Sequence, residues 1–171
     1  AVMEDVKSFF RKHYTPSNAV LCIAGNLELN QVKQLVEKWY GNIPSTEKKQ
    51  RNLPKEPIQK GFREKTIERE IPTDAFYYAF KMVNRTHPDY FITDTLSDAL
   101  GGDRSSRLYL SLKKKLNLTS EINAYITGSS DEGLLVISGK LNDGVSFEQL
   151  DEALWKELEL IKSEVLTEAE L

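Results

Sequence analysis

The sequence is poor in the residues that build a self-contained metal or redox centre. Its 171 residues include one cysteine, Cys22, and two histidines, His13 and His87. A single cysteine excludes an internal disulfide. Cys22 lies between Leu21 and Ile23, the setting of a buried strand, so it reads as a structural thiol rather than a reactive one. Neither histidine belongs to H-E-x-x-H or the inverted H-x-x-E-H. A zinc ion needs three or four converging ligands, so an intrinsic zinc site is not expected. His13 instead ends a helix, where partial positive charge suits the dipole. His87 stands before Pro88 in a loop.

Net charge is small and long apolar runs are lacking as well. A net charge of −3 gives no basis for a nucleic-acid partner or a membrane surface. No apolar run nears the ~20 residues of a membrane span, and no secretory signal opens the chain. A soluble protein is expected, with its compartment left open. The chain begins in a helical pattern and ends on Thr167-Glu168-Ala169-Glu170-Leu171. Thr167 and Glu170 have capping-box spacing, so a piece trimmed from a longer chain is expected.

What is present is a sequence of clear periodicities. Residues 3–13 place Val6, Phe9, Phe10 and His13 on one helical side. Pro16 breaks that pattern. Ala19 to Ala24 reads as a short buried strand ending at Gly25-Asn26. Leu29, Val32, Leu35, Val36 and Trp39 form a helical face closed by Gly41. Residues 42–60 carry Pro44, Pro54 and Pro57 and read as a polar linker or loop. Their charge run (Lys48, Lys49, Arg51, Lys55) reads as a solvated connector, with a polyanion site as the alternative.

Residues 62–70 alternate with period two, as does Ala75 to Val83, where Phe76, Tyr78, Phe80 and Met82 face one way. A helix bearing Phe91, Ile92, Leu96, Ala99 and Leu100 follows His87-Pro88 and stops at Gly101-Gly102. Asp103 or Ser105 caps the next helix, with Leu108, Leu112 and Leu116. Two strands, Thr119–Thr127 and Gly133–Leu141, flank a polar turn. Phe147, Leu150, Leu154, Leu158 and Ile161 stripe a last helix. Strands in adjacent pairs imply an α+β class: a mixed, largely antiparallel sheet with helices packed on one face, a two-layer sandwich. The whole of 1–171 is expected to be one domain.

Chemistry-bearing patterns are weak. Ser105 and Ser106 follow a glycine pair, but G-x-S-x-G is absent, and helix capping accounts for them. Gly101-Gly102-Asp103-Arg104-Ser105-Ser106 lacks the lysine and the spacing of a phosphate loop. The carboxylate pairs Glu68/Glu70 and Asp131/Glu132 do not sit in apolar runs that would perturb their acidity. Phe76, Tyr77, Tyr78 and Phe80 have no interleaved basic residues, unlike a nucleic-acid stacking platform. No catalytic residue and no metal ligand is assigned.

Two stretches carry a resemblance. Phe9-Phe10-Arg11-Lys12-His13-Tyr14-Thr15-Pro16-Ser17-Asn18-Ala19-Val20-Leu21, continuing to Ala24-Gly25-Asn26 and to Trp39-Tyr40-Gly41-Asn42-Ile43-Pro44, resembles the start of the second, non-metal-binding domain of pitrilysin/insulinase-type zinc peptidases. Leu100-Gly101-Gly102-Asp103-Arg104-Ser105-Ser106-Arg107-Leu108-Tyr109 is similar to that family's L-G-G-x-x-S-S-R-L segment. The resemblance covers nearly the whole chain.

It implies a clam-like peptidase built from repeated α+β domains. Its zinc is held by H-x-x-E-H and a downstream glutamate in another domain, and the motif glutamate acts as general base. Zinc is therefore implied for the parent protein and none for this fragment. The implied partners are sister domains of the parent and a peptide substrate. The family also uses an arginine and, seven residues later, a tyrosine to hold substrate. Lys113 and Ser120 occupy the matching positions. Lysine lacks the guanidinium fork and serine is too short to replace tyrosine. Two functions follow: a non-catalytic domain of a zinc metallopeptidase, forming part of the substrate chamber and an inter-domain interface, or a domain of a degenerate family member serving as a structural partner subunit.

Overall fold

Ala-Phe-Tyr-Tyr-Ala-Phe-Lys-Met alternates large apolar residues with exposed ones, and in the computed structural model it forms strand β1 (Ala75–Met82). The structure describes all residues except 1, 48–51, 55, 169 and 171. The charge run at Lys48, Lys49, Arg51 and Lys55 lies outside the described residues.

The chain divides into two compact units, Ala1–Glu64 and Lys65–Leu171. The second contains β1, helix α3 (Tyr90–Gly101), a π-helical segment (Tyr109–Lys115), strands β2 (Thr119–Ile126) and β3 (Gly133–Leu141), and helix α4 (Phe147–Ser163). The sheet runs β1-β3-β2, and both ladders are antiparallel. Tyr78 pairs with Ile137 and Phe80 with Leu135. Ile137 in turn pairs with Ala124, and Gly139 with Ile122. Because strand side chains alternate, these residues share one face.

That face carries the core. Phe76, Ile122, Ala124, Leu135, Ile137 and Leu141 cluster with Leu100 of α3, Leu108 and Leu112, and Leu150, Leu154 and Leu158 of α4. Burying each such leucine contributes about 1.5–3 kcal/mol relative to leaving it in water. Trp155 of α4 meets Tyr78 and Phe80 edge-on, at 6.5 and 6.1 Å between ring centroids. The Tyr78 hydroxyl donates to Asp151. On the opposite face Tyr77, Tyr125 and Leu134 are exposed, while Val136 is buried. The class is α+β, with helices on one side of an antiparallel sheet.

Local signals fix the ends of α4. Ser146 Oγ accepts the Gln149 N–H at 3.3 Å, and Gln149 Oε1 accepts the Ser146 N–H at 3.0 Å. This reciprocal cap satisfies two of the N–H groups that a helix start leaves unpaired. Leu150, Leu154 and Leu158 then recur at four-residue spacing on the buried side.

The first unit holds helix α1 (Met3–His13), a 3₁₀ turn (Pro16–Asn18) and helix α2 (Leu29–Tyr40). Phe10 and Tyr14 stack at 4.5 Å, Asn18 Nδ2 donates to the His13 carbonyl at 2.9 Å, and Thr15 is buried. Here two expectations fail. Ala19–Ala24 is not a strand, and Cys22 is exposed rather than buried. Ala19 has extended dihedrals, φ −125° and ψ 151°, yet among the described residues the segment has no ladder partner, and Val20 is 95% exposed. Period-two residues 62–70 likewise form no ladder. The physical reason is common to both. β-propensity records fit to a pleated, half-covered surface, and a strand exists only when a neighbour takes its N–H and C=O groups. Among the described residues, no helix is long and apolar enough to cross a membrane.

Candidate functional site

The glycine-serine turn after α3 is built by close approach. A Cβ at Gly101 would lie 2.4 Å from the Ala124 backbone nitrogen. Only glycine lets the end of α3 lie against β2 at that distance. Asp103 then organises the turn. Its Oδ1 accepts the Ser105 N–H at 2.7 Å, the Ser105 hydroxyl at 2.6 Å and the Ser106 N–H at 3.1 Å. Of the candidate caps, Asp103 therefore receives the free N–H groups. Its hydrogen bonds from Ser105 hold its carboxyl below the usual carboxylate range. Ser106 Oγ donates back to the Asp103 carbonyl at 2.7 Å. Both serine hydroxyls thus donate to Asp103, so the turn is organised by Asp103 and not by a serine cap.

Lys113 and Ser120 are brought together, across two backbone irregularities. Lys113 lies in the π-helical segment, a helix form that is rare and concentrated at functional sites. Ser120 lies at a bulge: Thr119 pairs with Leu141 and Glu121 with Lys140, so Ser120 is the extra residue of β2. Bulges re-aim groups at sheet rims, and here the Ser120 carbonyl accepts the Lys113 ammonium. The Ser120 hydroxyl donates to the Lys140 carbonyl at 3.4 Å. Lys113 Nζ also lies 5.3 Å from the centre of the Tyr109 ring, within cation–π range. Beside them Lys140 pairs with Glu121 at 2.9 Å.

The histidines make local contacts. His13 ends α1 with its ring 4.5 Å from that of Phe9. His87 Nδ1 accepts the Asp89 N–H at 3.2 Å. Among the described residues no group of three or more His, Cys, Asp and Glu side chains is placed to hold a metal ion. These residues do not fit a zinc site, and no zinc chemistry is assigned to them.

Sequence reasoning missed the partner of Arg107. Arg107 Nε donates to Glu170 Oε1 at 2.5 Å and Nη2 to Glu170 Oε2 at 3.1 Å. Thr167 N–H and Oγ1 both donate to Glu170 Oε2 at 2.8 Å. The Thr167–Glu170 spacing had pointed to capping geometry, but nothing local indicates an arginine 63 residues away in the chain.

The unit Lys65–Leu171 is thus an α+β arrangement in which Asp103, Lys113 and Ser120 bond within the fold. The description "Peptidase M16 inactive domain" matches residues 1–171. The chain belongs to that family, which includes the pitrilysin-type zinc peptidases it resembles. It is 27% identical over 172 residues to the zinc protease PqqE of Helicobacter pylori, covering 99% of this chain and 39% of that protein. It is 27% identical to the uncharacterized zinc protease YmxG of Bacillus subtilis, covering 98% and 40%. The chain thus spans about two fifths of the length of these relatives. The crystal structure of a protease from Helicobacter pylori superposes with a TM-score of 0.87 at 26% identity, over 99% of this chain and 42% of that one. Pitrilysin, at 18% identity and a TM-score of 0.58, matches 98% of this chain and 18% of its own, and shares the fold.

Proposed function

We propose that this is a non-catalytic domain of a zinc-dependent metallopeptidase, forming part of the wall of a substrate chamber and an interface with sister domains. The observation that carries the reading is the match to the inactive peptidase domain across residues 1–171. Relatives named zinc proteases, more than twice as long as this chain, support placing the zinc and its general base elsewhere in the parent protein. The exposed sheet face with Tyr77, Tyr125 and Leu134 offers area for a neighbouring domain or an extended peptide.

Lys113 and Ser120 support a scaffold role over a substrate-holding one. They stand where the family places its arginine and tyrosine, and the lysine ammonium is engaged with the Ser120 carbonyl. A lysine tethered to a carbonyl of its own domain must give up that bond to reach out to a substrate.

The test is made on the full-length parent protein. Stoichiometric zinc and chelator-sensitive cleavage of an unfolded peptide are expected, with Lys113→Met leaving kcat/KM within about twofold. The isolated 171-residue chain is expected to bind no zinc tightly and to cleave nothing. A parent without zinc or cleavage would overturn the enzyme reading in favour of a structural partner subunit. A large loss of kcat/KM in Lys113→Met would return that residue to substrate binding.

A further inference from the structure

We propose that residues 164–168 together with Glu170 form a strap whose order depends on Arg107, so that one guanidinium–carboxylate contact decides whether this stretch after α4 is docked. The Arg107 side chain is 16% exposed, well covered for an arginine. Its fork takes Glu170 through two nitrogens, the arrangement that best matches a planar guanidinium to a carboxylate. Nη2 also donates to the Val165 carbonyl at 3.4 Å, and Nη1 lies 4.0 Å from Glu164. One arginine therefore reaches the segment at Glu164 and Val165, next to α4, and again at Glu170.

The strap's own bonds converge on the same point. Thr167 caps its turn onto the Glu170 carboxylate that Arg107 holds, and the Glu170 N–H returns to the Thr167 carbonyl at 3.0 Å. Losing Arg107 thus loosens the turn as well as its docking. Among the described residues, the segment's other side chains add little fastening. Val165 is exposed and Leu166 only half-buried, so the strap has no apolar anchor like those of α4. Glu157 of α4 completes the acidic surroundings of Arg107, while accepting the Ser111 hydroxyl at 2.6 Å. Segments with few apolar contacts and a single polar fastening open independently of the core they rest on.

Hydrogen exchange on the full-length parent protein, read by mass spectrometry, tests this. In Arg107→Lys and in Glu170→Gln, amide protection across 164–168 is expected to fall about tenfold or more, with β1, β2, β3 and the first turns of α4 unchanged. The paired reversal, Arg107→Glu with Glu170→Arg, is expected to restore part of the lost protection. Glu170→Gln keeps the test usable where an Arg107 variant fails to fold, since Glu170 is at the surface. Unchanged protection of 164–168 in Glu170→Gln would overturn the proposal. So would a loss that spreads equally through the sheet, which would make Arg107 a core residue rather than a strap fastening.

Discussion

Helices α2 and α4 carry similar stripes and meet different surroundings. In α4, Leu150, Leu154 and Leu158 are 0%, 0% and 8% exposed; in α2, Leu29, Leu35 and Trp39 are 65%, 47% and 68% exposed. The difference recurs between the two units. Every buried hydrophobic residue among those described lies between Phe76 and Leu158. An apolar stripe states which side of a helix should be covered. The covering layer supplies the energy, because a 12-residue helix is marginal in water by itself. In the unit Lys65–Leu171 three strands share one apolar face, and α3, α4 and the π-helical segment lie on it. In the unit Ala1–Glu64 the helices form without such a layer.

Single truncations break or sharpen this contrast most strongly. Leu154→Ala removes a fully buried side chain and is expected to destabilise by about 2–5 kcal/mol, seen as a lower urea midpoint. Trp39→Ala removes more atoms from α2, yet is expected to stay within about 0.5 kcal/mol, as exposed positions do. Comparable losses would mean that α2 is covered after all. A glycine pair asks the same question of the backbone. Gly101→Ala drives a methyl into the β2 backbone at Ala124, and is expected to cost about 1–3 kcal/mol through overpacking. Gly61→Ala meets nothing within 4 Å, and is expected to be neutral or to stabilise by up to about 1 kcal/mol through a less flexible unfolded chain. Thermal melts of both variants check this.

The same contrast explains what could be read from the sequence. β1, α3, β2, β3 and α4 stand close to where their periodicities put them, because each apolar face has an opposite face in the same unit. Val20, Leu21 and Ile23 look as strand-like as Leu135, Val136 and Ile137, but only the second set has ladder partners on both sides. Sequence pattern shows the wish to pair and not the partner. The candidate site was legible in a similarly divided way. Lys113 and Ser120 were identified through family resemblance, whereas their contact needs a π-helix and a bulge that only long-range packing imposes. Arg107 stood inside a quoted motif, but its acidic partner comes from the far end of the chain.

A smaller effect is expected at low pH, confined to the strap. Hydrogen bonds from Arg107, and then from Thr167, hold the Glu170 carboxyl at about 2, against an ordinary 4.5. A carboxyl depressed in the folded state stabilises above its unfolded value and loses that contribution as pH falls toward its folded one. Protection of 164–168 is therefore expected to be level above pH 4.5 and to decline between 4.5 and about 2. Glu170→Gln should abolish that pH dependence, and an unchanged profile in this variant would assign it to another carboxylate.

The smallest effect on stability should come from Cys22, where the two units differ in chemistry rather than energy. The thiol is exposed, and its neighbours in residues 19–24 are exposed too. Access, with the thiolate fraction, sets how fast a cysteine reacts. A water-soluble disulfide reagent is expected to modify one thiol per chain in native buffer, at close to the rate seen in denaturant. The unfolding midpoint should stay within about 0.5 kcal/mol afterwards, as for other changes at exposed positions. A thiol that reacts only on unfolding would mean that 19–24 is a covered strand, and the contrast between the two units would then vanish at the point where sequence and structure disagree most.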